Sequence, residues 1–204
     1  DLVYIRHWHS PIRGLDMSAS KIMIIRHAEK PADDGSVAGV SQAGLQDPEE
    51  LTVRGWQRSG ALIRLFAPLG GSFASPLLAT PDIIFASGTA KHSKSLRPQH
   101  TVLALADFLG QKLDLSHTKG EEGLLAADAI SKSGSTLIAW EHEAIPAIAN
   151  QITGDSKTCP QTWPEDRFDL VWVFDRGSAA DRWSFEQVPQ MLLPGDSSSL
   201  IPVS

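Results

Sequence analysis

Two apolar runs in this chain break off in the same way. In "KIMIIRHAEKP", residues 21–31, the run gives way to Arg26-His27, with Glu29 and Lys30 close behind. In "TLIAWEHEAIPAIA", residues 136–149, it gives way to Glu141-His142-Glu143. A further cation, Arg97, stands in "SLRPQHT". Guanidinium groups grip phosphate oxygens through paired hydrogen bonds and stay charged at working pH. Imidazole is a nucleophile at neutral pH and forms covalent intermediates. Phosphoryl transfer asks mainly for positioning and for neutralisation of charge on the equatorial oxygens. A pocket of Arg26, Arg97, His27 and His142, with Lys30 beside it, has the groups for that chemistry. Taken singly, each histidine is more often a structural residue than a catalyst. Their shared place at the tips of apolar runs singles them out.

The elements that must carry these residues follow from the hydrophobic pattern. Val/Ile-rich runs bounded by breakers read as buried strands at residues 21–26, in "PDIIFASG" and in "STLIAW". "LTVRGWQRSGALIRLF" predicts a helix capped by Thr52. "SKSLRPQHTVLALADFLG" predicts a loop feeding a helix, with Pro98 in the first turn and Gly110 at the end. "GEEGLLAADAIS" reads as a shorter helix, and another follows Glu143. "DLVWVFDR" and "RWSFEQVPQ" read as two strands joined by the turn "GSAAD", and "PGDSSSLIPVS" as loop or disorder. Strands alternating with helices predict an α/β fold, a three-layer helix-sheet-helix arrangement with a mostly parallel central sheet. In such sheets ligands bind outside the carboxyl ends of the strands. Both histidine-bearing tips lie there.

The 204 residues fit one domain, and 42% hydrophobic with 21% charged residues is ordinary for a chain with a real core. A net charge of −6 offers no footprint for nucleic acid. Cys159, the single cysteine, rules out a disulfide framework and a thiolate zinc site, and makes a reduced, cytoplasmic setting the default. No apolar run approaches the ~20 residues that span a bilayer. The first methionine is Met17, so residues 1–16 are expected to be an upstream or appended extension and 17–204 the single domain. Within that extension His7 and His9 flank Trp8, a weak metal signal without further ligands.

Four stretches, "IMIIRHAEKP", "LTVRGWQRSGAL", "SLRPQHTVLALADFLG" and "TLIAWEHEAIPAIA", together resemble the histidine phosphatase superfamily, the phosphoglycerate-mutase-like fold. They occur in the order the family has them and span residues 20–153. "IAWEH" with "LRP" resembles a small bacterial subgroup rather than the glycolytic mutases. Ala28 stands where the family has glycine, Lys30 where many members place a third arginine, and the segment leading to Arg97 is longer than usual.

The resemblance implies that His27 is the nucleophile and that Arg26, Arg97 and His142 bind the phosphoryl group. It implies no cofactor and no metal, and a partner that is a small phosphorylated substrate, with phosphate or sulfate able to occupy the pocket. Neither nucleic acid nor membrane is expected as a partner. For the general acid it gives two answers. The mutase branch points to Glu122, with Glu121 its neighbour, and the acid-phosphatase branch to Glu143. Glu122 is preferred, although acidic residues at helix starts also serve the helix dipole. The expected function is a metal-independent phosphohydrolase of small phosphomonoesters. The alternatives are a mutase-type phosphotransferase and a non-catalytic phospho-ligand binding module. A metallohydrolase built on His27, Glu29, His142 and Glu143 would lack the helix-borne His-Glu-x-x-His spacing. Arg54 and Arg58 are expected to decorate a helix face, Trp140 to wall the pocket, and His92, His100 and His117 to lie in loops or at the surface. The Lys91-His92-Lys94 cluster is read as a solvated loop that can steer anions.

Overall fold

The computed structural model describes residues 20–91, 93–177 and 182–203. The 1–16 extension, His92 and all but the first residue of the turn "GSAAD" therefore lie outside the described residues. Among those described, the elements run β1 (Ser20–Arg26), α1 (Val53–Phe66), β2 (Ile83–Ala86), α2 (Arg97–Leu109), α3 (Glu122–Ser131), β3 (Gly134–Trp140), α4 (Ile145–Thr153), β4 (Leu170–Arg176) and β5 (Ser184–Pro189).

They form one five-stranded sheet of order β2-β3-β1-β4-β5. β2, β3 and β1 are parallel neighbours, whereas β4 runs antiparallel to both β1 and β5. The centre is thus parallel and one edge is a hairpin, as expected for two strands joined by a short turn.

Strand β1 is apolar at every central position because both its faces are covered. Ile22 and Ile24 pack with α3 and α4 residues such as Leu125 and Ile148. Met23 and Ile25 pack with Leu62 of α1 and Val102 of α2. Helix α1 buries Gly55, Ser59, Leu62 and Phe66, a stripe at helical spacing. The Thr52 side chain accepts from Gly55 N–H and closes its first turn. Helix α2 starts at Arg97-Pro98 and ends on Gly110, whose φ of 66° is the left-handed conformation glycine adopts without strain.

Two segments differ from expectation. The tail read as loop or disorder is irregular but docked: Ile201 is buried, and Asp196 is paired to Arg58. Arg58 itself is buried in the interior rather than on a helix surface, because Glu29 and Asp196 neutralise it. Cys159, from a polar stretch of sequence, is buried as well.

Candidate active site

Strands β1, β3 and β2 end at one edge of the sheet, and their register decides what emerges there. Arg26 pairs with Trp140 and Ala86 with Ala139. The His27 amide donates to the Trp140 carbonyl at 2.9 Å, extending the ladder by one step. His27 therefore leaves β1 level with Glu141, just past β3, while Ser87, just past β2, is level with Trp140.

His27 is buried, and its Nδ1 lies 2.8 Å from the Ala28 carbonyl oxygen. A carbonyl can only accept, so Nδ1 carries the proton and Nε2 keeps a free lone pair. Burial pushes the imidazole's pKa down to about 3, despite the Ala28 contact. The positive charges of Arg26 and Arg97 and the neighbouring His142 push the same way. The ring is consequently neutral near pH 7. His142, half-buried, is also shifted below the usual histidine range by burial, by Arg26 and by Lys30, with Glu143 and Glu165 opposing. These mutual influences put Arg26, His27, Arg97, His142 and Lys30 in one neighbourhood.

Arg26 is almost fully buried. Its Nη1 donates to the carbonyls of Pro164 and Arg167 at 3.2 and 3.1 Å, and its guanidinium lies 3.8 Å over the Phe168 ring. Among the described residues its Nε and Nη2 have no hydrogen-bond partner. Two unpaired donors on a buried cation are what an anion's oxygens would satisfy. Burial lowers the guanidinium's pKa to about 10, against the pull of Glu165 and Asp166, so it stays charged at neutral pH.

Arg97 opens α2 and is anchored to the loop before α1: its Nε donates to Glu50 O at 3.3 Å and its Nη2 to Pro48 O. The rest of that helix start supports the loop behind the histidine. Thr101 Oγ1 accepts from Ala28 N–H and donates to Arg97 O, both at 2.7 Å. Gly55 admits α1 to the same loop, since a Cβ there would sit 2.6 Å from the Glu29 carbonyl oxygen. The Glu29 side chain turns to Arg54 and Arg58, which leaves it committed to an ion-pair network.

A cavity of about 400 Å³ opens at this edge, lined by His27, Arg97, Glu141, Lys119, Lys91 and Lys94, with Glu49, Ser93 and Ser95 at its wall. Arg26, Lys30 and His142 are not among its lining residues. Nor are the three carboxylates singled out from sequence. Glu122 Oε1 accepts from Trp140 Nε1 at 3.1 Å and Gly120 N–H at 3.0 Å. Glu121 accepts from both the amide and hydroxyl of Thr118, which hold it below the usual carboxylate range. Glu143 is exposed and paired to Lys119 at 3.3 Å. Trp140 is a fully buried core residue rather than a pocket wall. His100 and His117 are tucked in, paired to Glu50 and Asp128. No group of three or more His, Cys, Asp or Glu among the described residues is arranged to hold a metal ion.

The sheet and its helices are similar in fold to solved phosphatase structures. Among solved structures, the protein histidine phosphatase SixA complexed with tungstate matches with a TM-score of 0.51 and 16% identity, over 83% of this chain and 97% of that one. A mycobacterial glucosyl-3-phosphoglycerate phosphatase matches with a TM-score of 0.50 and 12% identity, over 82% and 97%. No family model and no curated protein matches the sequence.

Proposed function

We propose that this protein is a phosphatase that cleaves small phosphomonoesters through a phosphohistidine on His27. The observation that carries the reading is the state of that ring: neutral, its Nδ1 tied to a carbonyl, at the wall of a cavity it shares with Arg97. Nε2 attacks phosphorus in line with the leaving oxygen. Arg26 and Arg97, with His142 and Lys30 near them, neutralise the equatorial oxygens, and water then cleaves the phosphorus–nitrogen bond. Lys91, Lys94 and Lys119 on the cavity wall favour an anionic substrate and draw it in from solution. The two separate cores on the faces of β1 support reading the architecture as helix, sheet and helix layers. No helix among the described residues is long and apolar enough to cross a membrane. One buried cysteine fits a reduced, cytoplasmic setting.

The test is turnover of para-nitrophenyl phosphate, together with acid-labile labelling of the protein by ³²P from a labelled phosphomonoester. Wild-type protein should show both, and His27→Ala neither. Substantial turnover by His27→Ala would refute the nucleophile, and a wild type inert towards every phosphomonoester would refute the phosphatase reading.

A further inference from the structure

A phosphomonoester's leaving oxygen needs a proton, and the donor must reach the cavity where His27 attacks. We infer that Glu141, the residue before the second histidine, is the general acid of this site. The inference rests on the phosphatase reading above.

Three observations converge on Glu141. It follows Trp140, the register partner of Arg26, so it leaves β3 at the level where His27 leaves β1. It lines the same cavity as His27 and Arg97. Its Oε2 is buried without a hydrogen-bond partner among the described residues, which is costly for a carboxylate and natural for a carboxyl whose proton is meant for a substrate oxygen. Its protonation agrees: burial raises its pKa above the usual glutamate value, and the neighbouring charge of Glu122 adds to the rise. Its own backbone amide, Lys119 and the Ser87 hydroxyl moderate it.

The other carboxylates nearby are occupied elsewhere. Glu122 takes the Trp140 and Gly120 N–H groups, Glu143 pairs with Lys119, and Glu121 is bound to Thr118. Glu49 lines the cavity but is 60% exposed and lies 3.9 Å from Arg97. Glu122 then has a supporting part. Its charge disfavours ionisation of Glu141, while Trp140 N–H fixes its position.

The chemistry balances. The His27 Nε2 lone pair forms the bond to phosphorus as the ester P–O bond breaks. The leaving oxygen takes that bond's electron pair and the Glu141 proton, releasing the alcohol. The Glu141 carboxylate next accepts a proton from the water that attacks phosphohistidine. The P–N pair returns to Nε2, phosphate leaves, and the carboxyl is restored. Charged groups around Glu141 are Lys119 and Glu122, and across the cavity Arg97, Lys91, Lys94 and Glu49, with neutral His27.

The experiment compares wild type, Glu141→Gln and Glu122→Gln on glycerol phosphate, whose alkoxide is a poor leaving group, and on para-nitrophenyl phosphate, whose phenolate leaves unaided. Glu141→Gln should lose about 10²–10⁴-fold in kcat on glycerol phosphate and under about tenfold on the aryl ester. Wild-type kcat on glycerol phosphate should fall as pH rises and the acid ionises. That limb should vanish in Glu141→Gln, while the substrate's own ionisation affects both proteins alike. Glu122→Gln should keep the limb and move it to lower pH. Equal losses on both substrates would mark Glu141 as merely structural, and an unchanged Glu141→Gln would overturn the assignment. In either case wild-type turnover that depends on His27 keeps the phosphatase reading standing. A wild type without turnover sinks both.

Discussion

Replacing His27 by Asn should make the protein more resistant to acid while abolishing turnover. In the unfolded chain the imidazole titrates near 6.5, and in the folded protein near 3. A group whose folded pKa is depressed in this way binds more protons when unfolded, so stability is lost as pH falls from about 6.5 towards 3. At pH 4.5 the unfolded ring is almost wholly protonated and the folded one is not. Two pH units below the unfolded pKa therefore cost about 3 kcal/mol at ~1.4 kcal/mol per unit. Asn keeps an N–H for the Ala28 carbonyl but has no proton to gain, so its folded state escapes this cost. The assay is urea unfolding of both proteins at pH 7.5 and 4.5. Every other titrating group, His142 included, enters both proteins and largely cancels in the difference. With a slope of about 1–3 kcal/mol/M, the wild-type midpoint should fall by about 1–3 M more than that of His27→Asn. Equal falls would mean that His27 ionises normally in the fold, and burial would then not be what keeps the nucleophile neutral.

Arg97→Lys keeps a charge but loses the fork that reaches Pro48 and Glu50, so kcat on para-nitrophenyl phosphate should drop about 10²–10³-fold; near-wild-type kinetics would make Arg97 peripheral. Arg58→Ala strands Glu29 and Asp196 as buried charges and should destabilise the fold by about 3–5 kcal/mol in chemical denaturation. The Cys159 thiol, pushed up to about 12 by burial, should react with Ellman's reagent only once the protein is unfolded. Since side chains supply the positive charge at the proposed phosphoryl site, EDTA should leave turnover unchanged; loss restored by Zn²⁺ or Mg²⁺ would refute this.

The elements were legible wherever local rules act. Thr52 before α1, Pro98 and Gly110 around α2, and the β-branched runs of β1 and β3 each encode a boundary through backbone sterics or capping. The placement of Arg26 at a strand tip and of Arg97 at a helix start was legible too, since both ends follow from local pattern. What was hidden depends on pairs far apart in sequence. Arg58 reads as a surface residue until Glu29 and Asp196, 29 positions before it and 138 after it, are brought to it. The same pairing fastens a tail whose Gly, Asp and Ser composition suggests nothing of the kind.

For the proposed general acid, motif position and local surroundings point to different carboxylates. Glu121, Glu122 and Glu143 stand where family patterns put an acid, yet a carboxyl's proton affinity depends on what surrounds it, not on its offset from a histidine. Glu143 lies two residues beyond Glu141, and it reaches solvent and a lysine. Glu141 directly follows β3, lines the cavity and has its Oε2 buried. One signal for it was available: a parallel pair of strands ending in Arg26-His27 and Trp140-Glu141, once in register, aligns His27 with Glu141 rather than with His142.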